Sequence, residues 1–138
     1  MLQTIYLFLS ALVTILICDA IWLGLLAKDF YFSQLGNLAR KSGGKLAPIW
    51  TPALILYALM ALGFVVFVLP KVAGQKFSIL VPLYGALYGL IGFAIYDLTN
   101  YATLSKWSLK LTLVDLAWGT FVGAVVAIVL WRVYGVVS

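Results

Sequence analysis

The chain has 138 residues, of which 65% are hydrophobic and only 9% are charged. Soluble proteins carry roughly one-quarter charged residues, so this composition excludes an ordinary soluble domain and indicates one integral membrane domain over residues 1–138. The net charge is +5, but the Lys and Arg residues lie between apolar segments and form no basic face. They therefore indicate contact with anionic membrane lipid and no nucleic-acid partner.

Four apolar stretches are long enough to cross a membrane as helices, which requires about 20 mostly apolar residues. Pro48 and Pro52 open the second stretch and Pro70 closes it, as expected for a residue that disrupts helix interiors. The sequence thus predicts an all-α membrane protein, a four-transmembrane-helix bundle with a longer first cytoplasmic connection. The predicted spans are residues 3–27, 49–70, 78–104 and 111–132.

The distribution of basic residues predicts the orientation of these spans. Six of the nine Lys and Arg residues lie in the first and third connections, and three lie in the second connection and near the carboxy terminus. The excess predicts that the first and third connections face the cytoplasm and that both termini lie outside. Within the first connection, residues 30–39 are predicted to form a short interfacial helix with Tyr31, Leu35 and Leu38 on one side.

Two residue types restrict the available chemistry. Cys18 is the only cysteine, which rules out an intrachain disulfide, and the chain has no histidine. The commonest acid–base side chain, most zinc sites and the commonest haem ligand are therefore missing. No cofactor and no metal ligand are predicted, and any proton chemistry must use Asp, Tyr or Lys. Residues 1–10 contain no Lys or Arg, so no signal peptide is expected.

Three aspartates lie inside otherwise apolar spans, where an ionisable group is costly and is by default a candidate functional residue. Asp19 lies nine residues before Lys28, Asp97 nine before Lys106, and Asp115 five after Lys110. At 1.5 Å per residue, their depths are roughly 13, 13 and 7 Å from those basic ends. Because successive spans alternate in direction, we expect all three carboxylates to meet near one membrane face.

Polar and aromatic residues surround these aspartates in the sequence. Asp19 and Asp115 each begin an Asp-x-x-Trp pattern, which at helical spacing places an indole one turn from the carboxylate. These indoles are predicted either to wall a pocket or to pack in the core and the interfacial belt. The predicted ligand-binding residues are Asp19, Trp22, Tyr96, Asp97, Thr99, Asn100, Tyr101, Asp115 and Trp118.

Small residues are spaced to allow close helix packing. Gly85 and Gly89 in the third span and Gly119 and Gly123 in the fourth are both Gly-x-x-x-Gly pairs, which let backbones approach closely. Asp115 falls about 40° from Gly119 on a helical wheel, so its side chain is predicted to face the bundle. The same glycine pairs also leave a homodimer open.

Three interpretations of the aspartates remain open. They could form a hydrogen-bonded network that holds the helices together, although such contacts contribute only about 0.6 to 2 kcal/mol each. They could instead bind or transport a small molecule, lipid or cation, because clustered carboxylates repel and should hold a proton or cation between them. They could also hold Mg²⁺ in an enzyme that modifies membrane lipid, although no nucleophile with an adjacent base is visible.

The same residues carry a family resemblance. Asp19-x-x-Trp22-Leu, the block from Tyr96 through Asp97-Leu-Thr-Asn100 to Thr103, Trp107 and Asp115-x-Ala-Trp118-Gly119 together resemble the domain-of-unknown-function family 2177. The likeness spans nearly the whole chain. It implies a small multi-pass protein of the bacterial inner membrane and carries over no activity.

Overall fold

The computed structural model describes residues 1–138 and contains four helices that are long and apolar enough to cross a membrane. This confirms the predicted four-helix membrane bundle. The predicted boundaries agree to within two residues at every end but one. The exception is the end of the fourth helix, which continues five residues further than predicted. The four spans are Leu2–Leu26, Trp50–Val72, Leu80–Thr103 and Leu109–Val137.

Two of the spans are interrupted by a wider turn. The first consists of α1 (Leu2–Ile21) followed by a π-helical turn at Trp22–Leu26. The second consists of α3 (Trp50–Gly63), a π-helical stretch at Phe64–Val68 and the short α4 (Leu69–Val72). The third and fourth spans are the continuous helices α5 (Leu80–Thr103) and α6 (Leu109–Val137).

The first connection contains more regular structure than the sequence suggested. A short helix, α2 (Lys28–Leu35), begins two residues earlier than predicted and is followed by a 3-10 turn at Gly36–Leu38. Strands β1 (Lys41–Ser42) and β2 (Lys45–Leu46) then pair as a small antiparallel hairpin. Its turn uses Gly43 and Gly44, both at positive φ, a conformation that glycine adopts without strain.

The most extensive helix contact is between α5 and α6. A Cβ added at Gly85 would collide with the carbonyl oxygen of Gly123, and one added at Gly89 would collide with that of Gly119. The two Gly-x-x-x-Gly pairs are therefore used for close packing within this chain. They consequently give no support to a homodimer.

The hydrophobic core fills the half of the bundle that lies away from the aspartates. α1 packs between α3 and α6, while α5 contacts the second span mainly in its later part, from Gly63 to Val72. Core residues recur three or four positions apart, as expected for helices that bury one face. The core residues are Leu7, Ala11, Ile15, Ala61, Phe64, Val68, Val72, Val81, Val122, Val126, Ala127 and Leu130.

Candidate functional site

The other half of the bundle buries three carboxyl groups from three different spans. Asp97 is completely inaccessible, and Asp19 and Asp115 are each only 8% exposed. Asp115 lies between the other two, facing Asp97 across the α5–α6 contact and also interacting electrostatically with Asp19. The three aspartates therefore converge at the end of the bundle that carries the first and third connections.

Asp97 has no hydrogen-bond donor. Both of its carboxyl oxygens are buried, and neither has a hydrogen-bond partner. The carboxyl group of Asp115 faces it and is itself an acceptor unless it carries a proton. Buried polar groups are nearly always paired, and each exception requires a specific cause such as a bound ion or proton.

Asp115 is held by an aromatic side chain from the first connection. The Tyr31 hydroxyl of α2 donates a hydrogen bond to Asp115 Oδ1, and the Tyr31 oxygen accepts one from Trp22 Nε1 at 3.0 Å. Burial and the adjacent Asp115 raise the pKa of Tyr31, so its hydroxyl remains a donor at neutral pH. Tyr31 thus closes the connection side of the Asp97–Asp115 pair.

The Asp19 carboxyl group has a hydrogen-bond donor of its own, different from the one that bonds to Asp115. Trp118 Nε1 donates a hydrogen bond to Asp19 Oδ1 at 2.8 Å, and Tyr57 of α3 also faces this carboxyl group. The rings of Trp22 and Trp118 stack with centroids 4.4 Å apart and planes 7° from parallel. Of the two roles predicted for these tryptophans, lining a pocket or packing, the stacking shows that they pack on each other and form an aromatic layer beside the carboxylates.

The π-helical turn positions Trp22 in that layer. The Ala27 N–H donates to the Trp22 carbonyl at 2.7 Å, across five residues instead of the usual four. The extra residue in this turn rotates the helix just after Asp19, and such turns occur frequently at functional sites.

The start of α6 is hydrogen-bonded to the first and third connections. Ser108 caps the helix by accepting from the Leu111 N–H at 3.2 Å, and its hydroxyl donates to Gln34 Oε1 of α2 at 2.6 Å. Trp107 Nε1 donates to the buried Thr112 hydroxyl at 3.1 Å. These bonds fix α2 and the third connection over the end of the bundle that holds the aspartates.

The remaining predicted residues, Tyr96, Thr99, Asn100 and Tyr101, donate no hydrogen bond to the carboxyl groups. Tyr96 is 58% exposed, packs edge-to-face against Trp107 at 5.6 Å and has Asn100 beside its hydroxyl. Thr99 is exposed on the other side of α5 from Asp97, and Tyr101 is also exposed, at 46%. The structure therefore brings Thr99 and Tyr101 into no contact with the buried aspartates.

Sequence reasoning missed Tyr31 and Tyr57. Tyr31 was predicted to face the membrane interface, but it is buried and bonded to Asp115. Tyr57 lies seven residues after Trp50, about 10 Å along the second span, a depth similar to that of the aspartates. Because Tyr57 lies at this depth, the sequence could have identified it as a candidate partner of the aspartates.

Two cavities in the structure lie away from the aspartates. One, of about 310 Å³, is lined by residues that include Gln75, Trp131 and Arg132. Another, of about 190 Å³, lies between the second and third spans near Lys71. Neither cavity is lined by Asp97 or Asp115, both of which are buried.

The comparisons with known proteins agree with the architecture. No curated protein and no solved structure matches the chain. The family model described as "Predicted membrane protein (DUF2177)" matches residues 4–131, a range that includes all four spans apart from their outer ends and every aspartate of the site. The chain therefore belongs to this family of membrane proteins, as the Asp–Trp patterns and the Tyr-Asp-Leu-Thr-Asn block had indicated.

Proposed function

We propose that the protein binds a small monovalent cation in exchange for a proton at the Asp97–Asp115 pair, and that this exchange serves transport across a bacterial inner membrane. The observation that carries the proposal is the Asp97 carboxyl group, which is fully buried and has no donor for either oxygen. A buried ionised carboxylate without a partner is very costly. A shared proton or a bound cation supplies the missing partner.

The surroundings of the pair support a cation over an anion or a large neutral ligand. Asp115 is bonded to the Tyr31 hydroxyl, and Trp22 bonds to Tyr31 in turn, so the lining is acidic and aromatic. Aromatic ring faces attract cations, most strongly where water is excluded. Tyr31 covers the pair from the connection side, and its movement together with α2 would admit the ion.

Two alternatives have less support. No group of three His, Cys, Asp or Glu side chains is arranged to hold a metal ion, so a Mg²⁺-dependent lipid-modifying enzyme has no ligand set here. A purely structural network is favoured by one contact, because Asp19 is satisfied by Trp118 at 2.8 Å. It does not account for Asp97, whose two buried carboxyl oxygens have no hydrogen-bond donor.

Proton release on cation addition tests the proposal. Purified protein in weakly buffered detergent receives Na⁺, guanidinium or tetramethylammonium while released protons are recorded with a pH-sensitive dye. We expect saturable release of about one proton per chain for at least one of these ions, because the cation displaces the proton held by the pair. Asp97→Asn should abolish the release.

The matched control is Asp29→Asn, which removes an exposed carboxylate at the start of α2 and should leave the release unchanged. Circular dichroism reports whether each variant is folded. Equal release from Asp97→Asn and the wild type, or no release with any of the three cations, would refute the proposal. An unfolded Asp97→Asn protein would favour the structural alternative instead.

A further inference from the structure

A second feature lies in the opposite half of the membrane, where the later part of the second span meets α5. An apolar groove of about 190 Å³ opens there toward the lipid. Its lining includes Phe67, Lys71, Tyr84, Leu87, Tyr88 and Ile91. It is separate from the aspartates and plays no part in the cation exchange proposed above.

The floor of the groove is rigid. A Cβ added at Gly63 would collide with the Tyr88 hydroxyl, so this ring is seated directly on the backbone of α3. Phe64 packs edge-to-face against Tyr88 at 4.7 Å. The groove is therefore a preformed depression between two helices, and packing of a tail into it requires no rearrangement.

The groove has one charged end. Lys71 lies in α4, at the end of the second span, and is exposed. From Tyr84 the lining continues to Ile91, seven residues along α5, which is about 10 Å of helix length. Leu87 and Ile91 are both more than half exposed, so the part of the groove farthest from Lys71 faces the hydrocarbon of the membrane.

We propose that the groove binds one phospholipid with an anionic headgroup, whose phosphate pairs with Lys71 and whose acyl chain lies along Leu87 and Ile91. The charge complementarity supports this occupant, since a cation at the interface end of an apolar groove matches the phosphate and tail of a lipid in both sign and position. A depression inside the bilayer excludes water, so hydrocarbon is the material available to fill it.

Native mass spectrometry of the detergent-purified protein tests the proposal. Phosphatidylglycerol and phosphatidylcholine with identical chains are added separately, and lipid-bound protein is counted. We expect one tightly retained phosphatidylglycerol per chain and weaker retention of phosphatidylcholine. Lys71→Gln should weaken phosphatidylglycerol binding about fivefold, as expected for loss of one surface charge, while Lys71→Arg should retain it.

Two matched controls separate the headgroup contact from the chain contact. Lys76→Gln removes a basic residue of the same connection that does not line the groove, and it should bind lipid like the wild type. Leu87→Trp fills the groove and should reduce retention of both lipids, whereas Leu83→Trp alters an exposed residue outside it and should not. The proposal would be overturned if Lys71→Gln or Leu87→Trp retained phosphatidylglycerol as well as the wild type does. It would also be overturned if the bound species had the mass of a second copy of the protein.

Discussion

Individual residues at the aspartate end of the bundle differ in how they satisfy their polar atoms. Asp19 and Asp115 each accept a bond from an aromatic donor, whereas Asp97 has none. Removing the hydrogen-bond donor of a buried acceptor lowers the free energy of unfolding by about 1–3 kcal/mol. The Tyr31 hydroxyl is therefore expected to hold α2 against the bundle as well as to cover the carboxyl pair.

Tyr31→Phe tests the role of that hydroxyl. The variant keeps the ring but removes the bond to Asp115, so α2 should open more often. A loss of about 1 kcal/mol makes amide hydrogen exchange roughly fivefold faster wherever local opening controls it. Exchange mass spectrometry of residues 28–35 measures the effect. Tyr6→Phe, which alters an exposed tyrosine of α1, is the control, and equal exchange in the wild type and Tyr31→Phe would show that the bond does not secure α2.

At the scale of elements, sequence reasoning succeeded where a spacing rule applies. The burial of Asp115 and Gly119 on one face of α6 follows from their separation by one helical turn. The π-helical turn at Trp22–Leu26 and the docking of α2 through Tyr31 could not be predicted in this way. Both depend on contacts with residues from other helices, and no local pattern in the sequence carries that information.

The α5–α6 contact allows a comparison within a single helix. Gly89→Ala places a Cβ against the Gly119 carbonyl oxygen, whereas a Cβ at Gly92 meets nothing within 4 Å. Overpacking costs about 1–3 kcal/mol, and an exposed Gly-to-Ala change in a helix stabilises by up to about 1 kcal/mol. Gly89→Ala should therefore lower the free energy of unfolding in a denaturing-detergent titration, while Gly92→Ala should leave it equal or higher. A result in which both variants are equally stable would mean that the glycine contact contributes little to the bundle.

On the scale of the whole molecule, the larger hydrophobic core and the buried aspartates occupy different ends of the bundle. The core of twelve buried residues lies toward the end with the second connection, and the buried aspartates lie toward the first and third connections. Composition and hydropathy were sufficient to predict the four spans, because lipid requires long apolar helices. They could not predict the stacking of Trp22 on Trp118, because it depends on how separate helices pack.

The basic residues predict which end of the bundle faces the cytoplasm. Six of nine Lys and Arg residues flank the aspartate end, so we expect that end to face the cytoplasm and both termini to lie outside. In a Cys18→Ala background, which removes the only native thiol, Ser138→Cys should react with a membrane-impermeant maleimide in intact bacterial spheroplasts. Ser42→Cys, in the exposed β-hairpin, should react only after lysis. The reverse pattern would place the carboxylates at the outer face, and a cation bound at Asp97 in the proposed exchange would then enter from outside the cell.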